Sequence, residues 1–309
     1  MKALADSVRE QVARAVVGND DAIELMLVAL ICRGHVLLEG VPGTAKTLLA
    51  RALARSLDLE SARVQFTPDM LPSDITGTMT LRDRSLEFRP GPVFTNILLA
   101  DEVNRTPPKT QSALLEAMQE GQVTVEGEGR ALPDPFLVVA TQNPVEYEGT
   151  YPLPEAQLDR FLVRVDVGYP EADAEREIVR LGRRGVQTAM LEQVEAVADG
   201  SAIDQARAEV DKTTISDEVA EYLVSVVRRT RELPSVELGA SPRAAVHLLA
   251  ACSAVARLAG RDYVTPDDVS RMAQSVLAHR LVLSPDAALE RFGTDEAVDS
   301  ALADVPVPR

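Results

Sequence analysis

Short, nearly unbroken apolar runs alternate with helical spacing through the first half of this 309-residue chain. His35-Val36-Leu37-Leu38-Glu39 reads as a buried strand, followed by a glycine-bearing turn and a helix over Thr47 to Leu57. Arg63-Val64-Gln65-Phe66, Asn96-Ile97-Leu98-Leu99-Ala100, Phe136-Leu137-Val138-Val139-Ala140 and Phe161 to Val167 predict further strands. Continuous apolar strands separated by helices indicate a parallel sheet covered on both faces, so the expected fold class is α/β. Two segments interrupt the alternation. Met70 to Pro92 sets Thr78-Met79-Thr80-Leu81 and Leu86-Glu87-Phe88 around polar Arg82 to Ser85, and Gln122 to Asp134 turns back at Glu126 to Gly129. Each reads as a protruding hairpin ahead of a core strand.

Beyond about Pro170 the strands stop. Ile215, Val219, Tyr222, Leu223, Val226 and Val227 fall at helical spacing. Another helix opens at Thr265-Pro266-Asp267-Asp268, with Thr265 as N-cap, Pro266 in the first turn and Val264 with Val269 as a hydrophobic staple. The expected division is an α/β domain over residues 1–205 and an all-helical domain over 206–309. Weakly patterned Gly185 to Lys212 forms the connection, and Val305 to Arg309 a frayed tail.

Charged residues at 26% and hydrophobic residues at 46% exclude a disordered or membrane-embedded chain. Acidic side chains outnumber basic ones 48 to 32, for a net charge of −16. A chain built mainly to grip nucleic acid carries the opposite sign, so that role is disfavoured. Cys32 and Cys252 read as small buried hydrophobes of a reducing compartment, and His35, His247 and His279 show no metal-ligand spacing. Asp6 and Glu10 interrupt any basic-then-apolar leader, and the apolar run Ala22 to Ile31 contains Glu24 and is too short to cross a bilayer. A soluble, cytoplasmic protein without a membrane segment is expected.

Gly40-Val41-Pro42-Gly43-Thr44-Ala45-Lys46-Thr47 lies between a strand and a helix and matches the phosphate-binding P-loop, except that Ala45 replaces the second glycine. The extra methyl is expected to be taken up by a slightly wider turn. Backbone N–H groups at a helix N-terminus then face phosphate, Lys46 reaches the β- and γ-phosphates, and the Thr47 hydroxyl ligates Mg²⁺. Asp101-Glu102 closes a buried strand. Alone, such a pair reads as a solvated helix start; after a P-loop, Asp101 reads as a holder of Mg²⁺ and Glu102 as the group that activates water. Ala140-Thr141-Gln142-Asn143 ends another strand at the ligand edge, where Asn143 can hold that water or serve as a turn residue before Pro144.

Arg243 follows Ser241-Pro242 in a first helical turn, where a cation opposes the helix dipole unless a phosphate lies nearby. It is a phosphate ligand or a solvated side chain. Arg160, taken alone, reads as a surface ion-pair partner of Asp159 or as a functional arginine, and Arg105, just after the acidic pair, has the same ambiguity.

These motifs, in this order, resemble those of AAA+ ATPases. Gly40 to Thr47, Asp101-Glu102-Val103-Asn104-Arg105, Ala140-Thr141-Gln142-Asn143-Pro144, Leu158-Asp159-Arg160-Phe161 and Ser241-Pro242-Arg243 more closely resemble those of the MoxR family, over about Val17 to His279. Alanine at the place of Ala45 is frequent in that family. The resemblance implies an AAA+ P-loop fold followed by an all-α lid, with ATP and Mg²⁺ as ligands. Gly40, Val41, Pro42, Gly43, Thr44, Ala45, Lys46, Thr47 and Leu48 would form Walker A, Asp101 and Glu102 Walker B, and Asn143 sensor 1. Arg160 would be the finger offered to a neighbouring subunit and Arg243 the sensor 2 arginine, with Thr47 and Asp101 at the metal. Val16-Val17-Gly18-Asn19 resembles the stretch lining the adenine site, placing Val17 and Gly18 there, although glutamine is commoner where Asn19 stands. The hairpins would correspond to the helix-2 insert and the pre-sensor-1 hairpin. Such proteins are hexameric rings acting as chaperones in metal insertion or complex assembly, often with von Willebrand factor A-domain partners. A nucleotide-gated scaffold, a DNA-acting motor and a chelatase-like subunit are the rival expectations.

Overall fold

The computed structural model describes residues 1–40, 44–82, 85–142, 150–169, 172–176 and 190–308. The chain forms two compact units, one of Ala3–Leu153 with Val165–Ile203, the other of Met1–Lys2, Pro154–Arg164 and Asp204–Arg309.

The first unit is built on a five-stranded sheet in the order β2-β5-β8-β1-β9. These strands are β1 (Val36–Glu39), β2 (Ser61–Gln65), β5 (Ile97–Asp101), β8 (Leu137–Gln142) and β9 (Val163–Asp166), with β2, β5, β8 and β1 paired in parallel. Val36 to Leu38, Ile97 to Ala100 and Leu137 to Ala140 are buried, as expected of strands covered on both faces. Helices α1 (Lys2–Ala13), α2 (Asp20–Ile31) and α3 (Lys46–Ser56) belong largely to this unit, and Met26, Leu27, Leu30, Leu49 and Leu53 join its core.

Both expected hairpins form. Short α4 (Pro72–Thr76) leads into β3 (Gly77–Arg82) and β4 (Ser85–Pro90); α5 (Pro108–Glu120) leads into β6 (Gln122–Val125) and β7 (Glu128–Ala131). Gly77 at φ +90 is obligatory, since an added Cβ would meet the Arg89 carbonyl oxygen at 2.3 Å. The Arg130 guanidinium of the second ribbon lies 4.0 Å over the ring of Phe88 in the first, and Phe88 in turn packs edge-on against Phe94. Leu81 and Leu86 face each other across the first ribbon and are exposed.

In the second unit, α6 (Glu155–Leu158) precedes the main helical array of α7 (Gly200–Val210, from Asp204 on in this unit), α8 (Asp217–Arg229), α9 (Pro242–Leu258) and α10 (Pro266–Leu277), closed by α11 (Pro285–Leu289) and α12 (Thr294–Asp304). Ser241 caps α9 by accepting the Ala244 N–H, and Thr265 with Asp268 forms a capping box on α10 above buried Val264 and Val269. The unit also holds a two-stranded ribbon, β10 (Val236–Leu238) with β11 (Val282–Leu283), too short to leave a period in the sequence. Among the described residues, no helix is long and apolar enough to cross a membrane.

Candidate active site

β1 delivers the chain to Gly40, where only glycine fits: an added Cβ would meet the Val167 carbonyl oxygen at 2.2 Å. Val41, Pro42 and Gly43 lie outside the described residues. Thr44 is buried, and Ala45 precedes α3 with φ 60 and ψ 18. Alanine here occupies the left-handed conformation that glycine adopts freely, at a cost of roughly 1–2 kcal/mol; the wider turn expected falls on residues outside those described. Lys46 opens α3 and donates from Nζ to the Gly40 carbonyl at 2.5 Å, closing the loop on itself. Burial lowers the Lys46 pKa, while the charges of Asp101 and Glu102 pull the other way. Thr47 is half-buried on the same turn, and the Leu48 side chain is buried in the core.

The carboxylates are placed by register. Gln65 on β2 pairs with Asp101 on β5, and Ala100 pairs with Ala140 on β8, so the strand ends converge at one edge. Asp101 Oδ1 accepts the Thr141 hydroxyl at 2.6 Å, and Oδ2 accepts Arg63 Nη2 at 2.7 Å and Nε at 3.1 Å. Thr141, 1% exposed, also accepts the Glu102 backbone N–H at 2.9 Å, so one hydroxyl fixes both acidic residues. Glu102 has φ 57 and ψ 50, a left-handed conformation for a residue with a full side chain and the kind of outlier that gathers at functional sites. Its Oε2 accepts Gln65 Nε2 at 2.6 Å and Arg105 Nη1 at 3.0 Å. Arg105 is therefore an ion-pair partner of Glu102. Arg63, Gln65 and Thr141 are the residues sequence reasoning missed. The available signal was that Arg63 and Gln65, two apart on one strand, share a face.

Gly18, φ +76, begins the turn before α2, with Ala174 3.2 Å from where its Cβ would stand; Asn19 Nδ2 donates to the Val17 carbonyl at 3.2 Å. Asn143 lies outside the described residues. Arg160 and Arg243 belong to the second unit: Arg160 follows α6 and is half-buried, and Arg243 is exposed on the first turn of α9. The structure thus gathers Lys46, Asp101 and Glu102 with three supporting side chains in the first unit, and sets Arg160 and Arg243 near one buried cation, Arg280, in the second. The acceptor-only oxygens of Asp101 and the Thr47 hydroxyl are hard ligands that suit Mg²⁺, and the Lys46 ammonium at the N-terminus of α3 suits phosphate.

The chain matches the model of the ATPase family associated with various cellular activities (AAA) over residues 35–163 and that of the AAA lid domain over 228–301. It is 49% identical to the uncharacterized protein YeaC of Bacillus subtilis, covering 97% of this chain and 93% of YeaC. It is 44% identical to the chaperone MoxR1 of Mycobacterium tuberculosis (97% and 81%) and 34% identical to protein MoxR of Methylorubrum extorquens (96% and 93%). A crystal structure of a candidate ATPase from Cytophaga hutchinsonii superposes with a TM-score of 0.92 at 41% identity, covering 100% of this chain and 96% of that one.

Proposed function

Since this chain belongs to the MoxR family of AAA+ ATPases, we propose that it hydrolyses ATP where two copies of it meet and uses the cycle to remodel or mature a protein client. The observation that carries this reading is the convergence of Lys46, Asp101 and Glu102 at the sheet edge beside the Gly40 turn. Lys46 binds phosphate in place of the Gly40 carbonyl it now holds, and Asp101, now paired with Arg63, would be a ligand for the ion. Thr47 and Asp101 would hold Mg²⁺, which would supply neutralisation of phosphate charge. Glu102 accepts a proton from the attacking water after leaving Gln65 and Arg105, which keeps basal turnover slow. Asn143 orients that water, and Val17 with Gly18 borders the base.

Arg160 completes the neighbouring subunit's site, a contribution that can be worth 10³–10⁵-fold in rate, and Arg243 reads the γ-phosphate from the lid. Supporting this is the placement of Arg243 on a helix N-terminus, where an anion relieves its conflict with the dipole. A hexameric ring and a von Willebrand factor A-domain partner belong to the same proposal, as does the metal-insertion or assembly role of the client. The Glu126-Gly127-Glu128 turn of the second hairpin is acidic, which counts against tracking along DNA.

Lys46→Ala is expected to abolish ATP binding in a fluorescent-nucleotide titration, and Arg160→Ala to keep binding and lose phosphate release. Normal hydrolysis by Arg160→Ala would overturn the shared-site reading. Glu102→Gln in ATP is the variant for capturing the client.

A further inference from the structure

Arg280 is buried in the second unit with its side chain 2% exposed. It follows α10 in a short helical turn (Ala278–Arg280) and reaches the segment around Arg160. Its Nη1 donates to Asp159 Oδ1 at 2.9 Å, and its Nη2 to the Phe161 carbonyl at 2.6 Å and to His247 Nδ1 at 2.7 Å. The residues on both sides of Arg160 are thus held by one planar fork. His279 Nε2 hydrogen-bonds the same Phe161 carbonyl at 3.1 Å.

Asp159 has a second partner. The Ser241 hydroxyl, which caps α9, lies 3.4 Å from its Oδ1. Arg243 is two residues into that helix, and His247, one turn on, shares its face. Arg280 therefore touches the α9 face through His247 and the α9 cap through Asp159, while touching the Arg160 turn directly. Arg243 is close enough for its charge to oppose that of Arg280, and burial with this repulsion brings the Arg280 pKa down to about 10.

A buried guanidinium is a poor device for stability alone, because apolar side chains of similar volume fill such a space at least as well. What it provides is direction: a rigid fork that a lysine ammonium cannot reproduce. We infer that Arg280 is a positioning residue that sets Arg160 and Arg243 in one register, through Asp159, the Phe161 carbonyl and His247. This rests on the roles given above to Arg160 and Arg243. The finger and the lid arginine then move as a pair, so a subunit that shifts its lid also shifts what it offers its neighbour.

The test is a variant cycle in the full-length chain, read by ADP affinity and by steady-state phosphate release. Arg280→Lys keeps the charge and loses the fork. Affinity for ADP, which lacks the γ-phosphate, is expected to stay within about 2-fold, and turnover to fall by about 10- to 100-fold, the scale of a misplaced catalytic group. In a background lacking both arginines (Arg160→Ala with Arg243→Ala), adding Arg280→Lys is expected to slow the residual turnover no further. Arg280→Met, read in the same way if it folds, gives the same pattern. Unchanged turnover in Arg280→Lys, a parallel loss of ADP affinity, or a further loss in the background lacking both Arg160 and Arg243 would each overturn the inference. Normal turnover by Arg160→Ala alone would instead overturn the reading of the finger and remove the basis for this one.

Discussion

Acidification should weaken the first unit through one residue, His35. It stands just ahead of β1, 5% exposed, with Nε2–H donating to the Met118 carbonyl at 2.9 Å and Nδ1 accepting the Val138 N–H at 3.0 Å. Both nitrogens are engaged, so the neutral ring fits in one tautomer only. A proton on Nδ1 would face the Val138 N–H and break that bond. Burial lowers the His35 pKa from 6.5 to about 4, against the raising effect of the Met118 carbonyl.

The unfolded chain takes up its proton near 6.5 and the folded chain only near 4, so between these values unfolding binds a proton. Stability from this site is complete above the upper value, declines as pH falls through the window, and is gone below the lower one. At 1.36 kcal/mol per pKa unit, the interval corresponds to about 3 kcal/mol. The assay is urea unfolding of the wild type and of His35→Gln at pH values from about 7.5 to about 4.5. The variant lacks the titrating group, so the stability gap between the two proteins should change with pH by about one proton's slope. A gap independent of pH would refute the reasoning.

Ala45→Gly should stabilise the nucleotide-free protein in thermal melts: relief of about 1 kcal/mol of left-handed strain, less a few tenths for a more flexible unfolded chain, leaves roughly 0.5 kcal/mol. Thr141→Val removes the donor to Asp101 and the acceptor for the Glu102 N–H, and should cost about 2–4 kcal/mol of stability and most of the turnover, with Thr141→Ser restoring both. Asp268, which accepts both Arg261 Nη atoms and the Thr265 N–H, is held below the ordinary carboxylate range, Arg261 and Thr265 outweighing the opposing effect of burial. Asp268→Ala should therefore lower stability by about 2 kcal/mol in urea titration.

The sheet was readable because Val36 to Leu38, Ile97 to Ala100 and Leu137 to Ala140 are short apolar runs set between helical patterns, whereas the longer apolar run Leu25 to Ile31 is helix α2. The two hairpins were readable for the opposite reason, as alternation around a polar turn. Of the site, Lys46, Asp101 and Glu102 were visible because each ends or begins an element at a fixed offset from glycine or from an apolar run. Thr141, Arg63 and Gln65 were hidden because their importance comes from the pairing of β2 with β5 and of β5 with β8, which depends on strand neighbours distant in sequence. Arg280 was hidden in the same way, its partners Asp159 and Phe161 being 121 and 119 residues distant. Ala45 illustrates a third case: its departure from the motif was plain, but a letter carries no torsion angle.

The stack of Arg130 on Phe88 makes the two ribbons a single lever. Neither can swing alone without giving up a cation–aromatic contact worth about 0.5–1 kcal/mol and unseating Phe88 from Phe94. A tug at either tip is consequently felt at both roots. One root is α5, whose 13 residues lead back to three residues beyond Arg105, so load on the second ribbon has a continuous helical path toward the acidic pair.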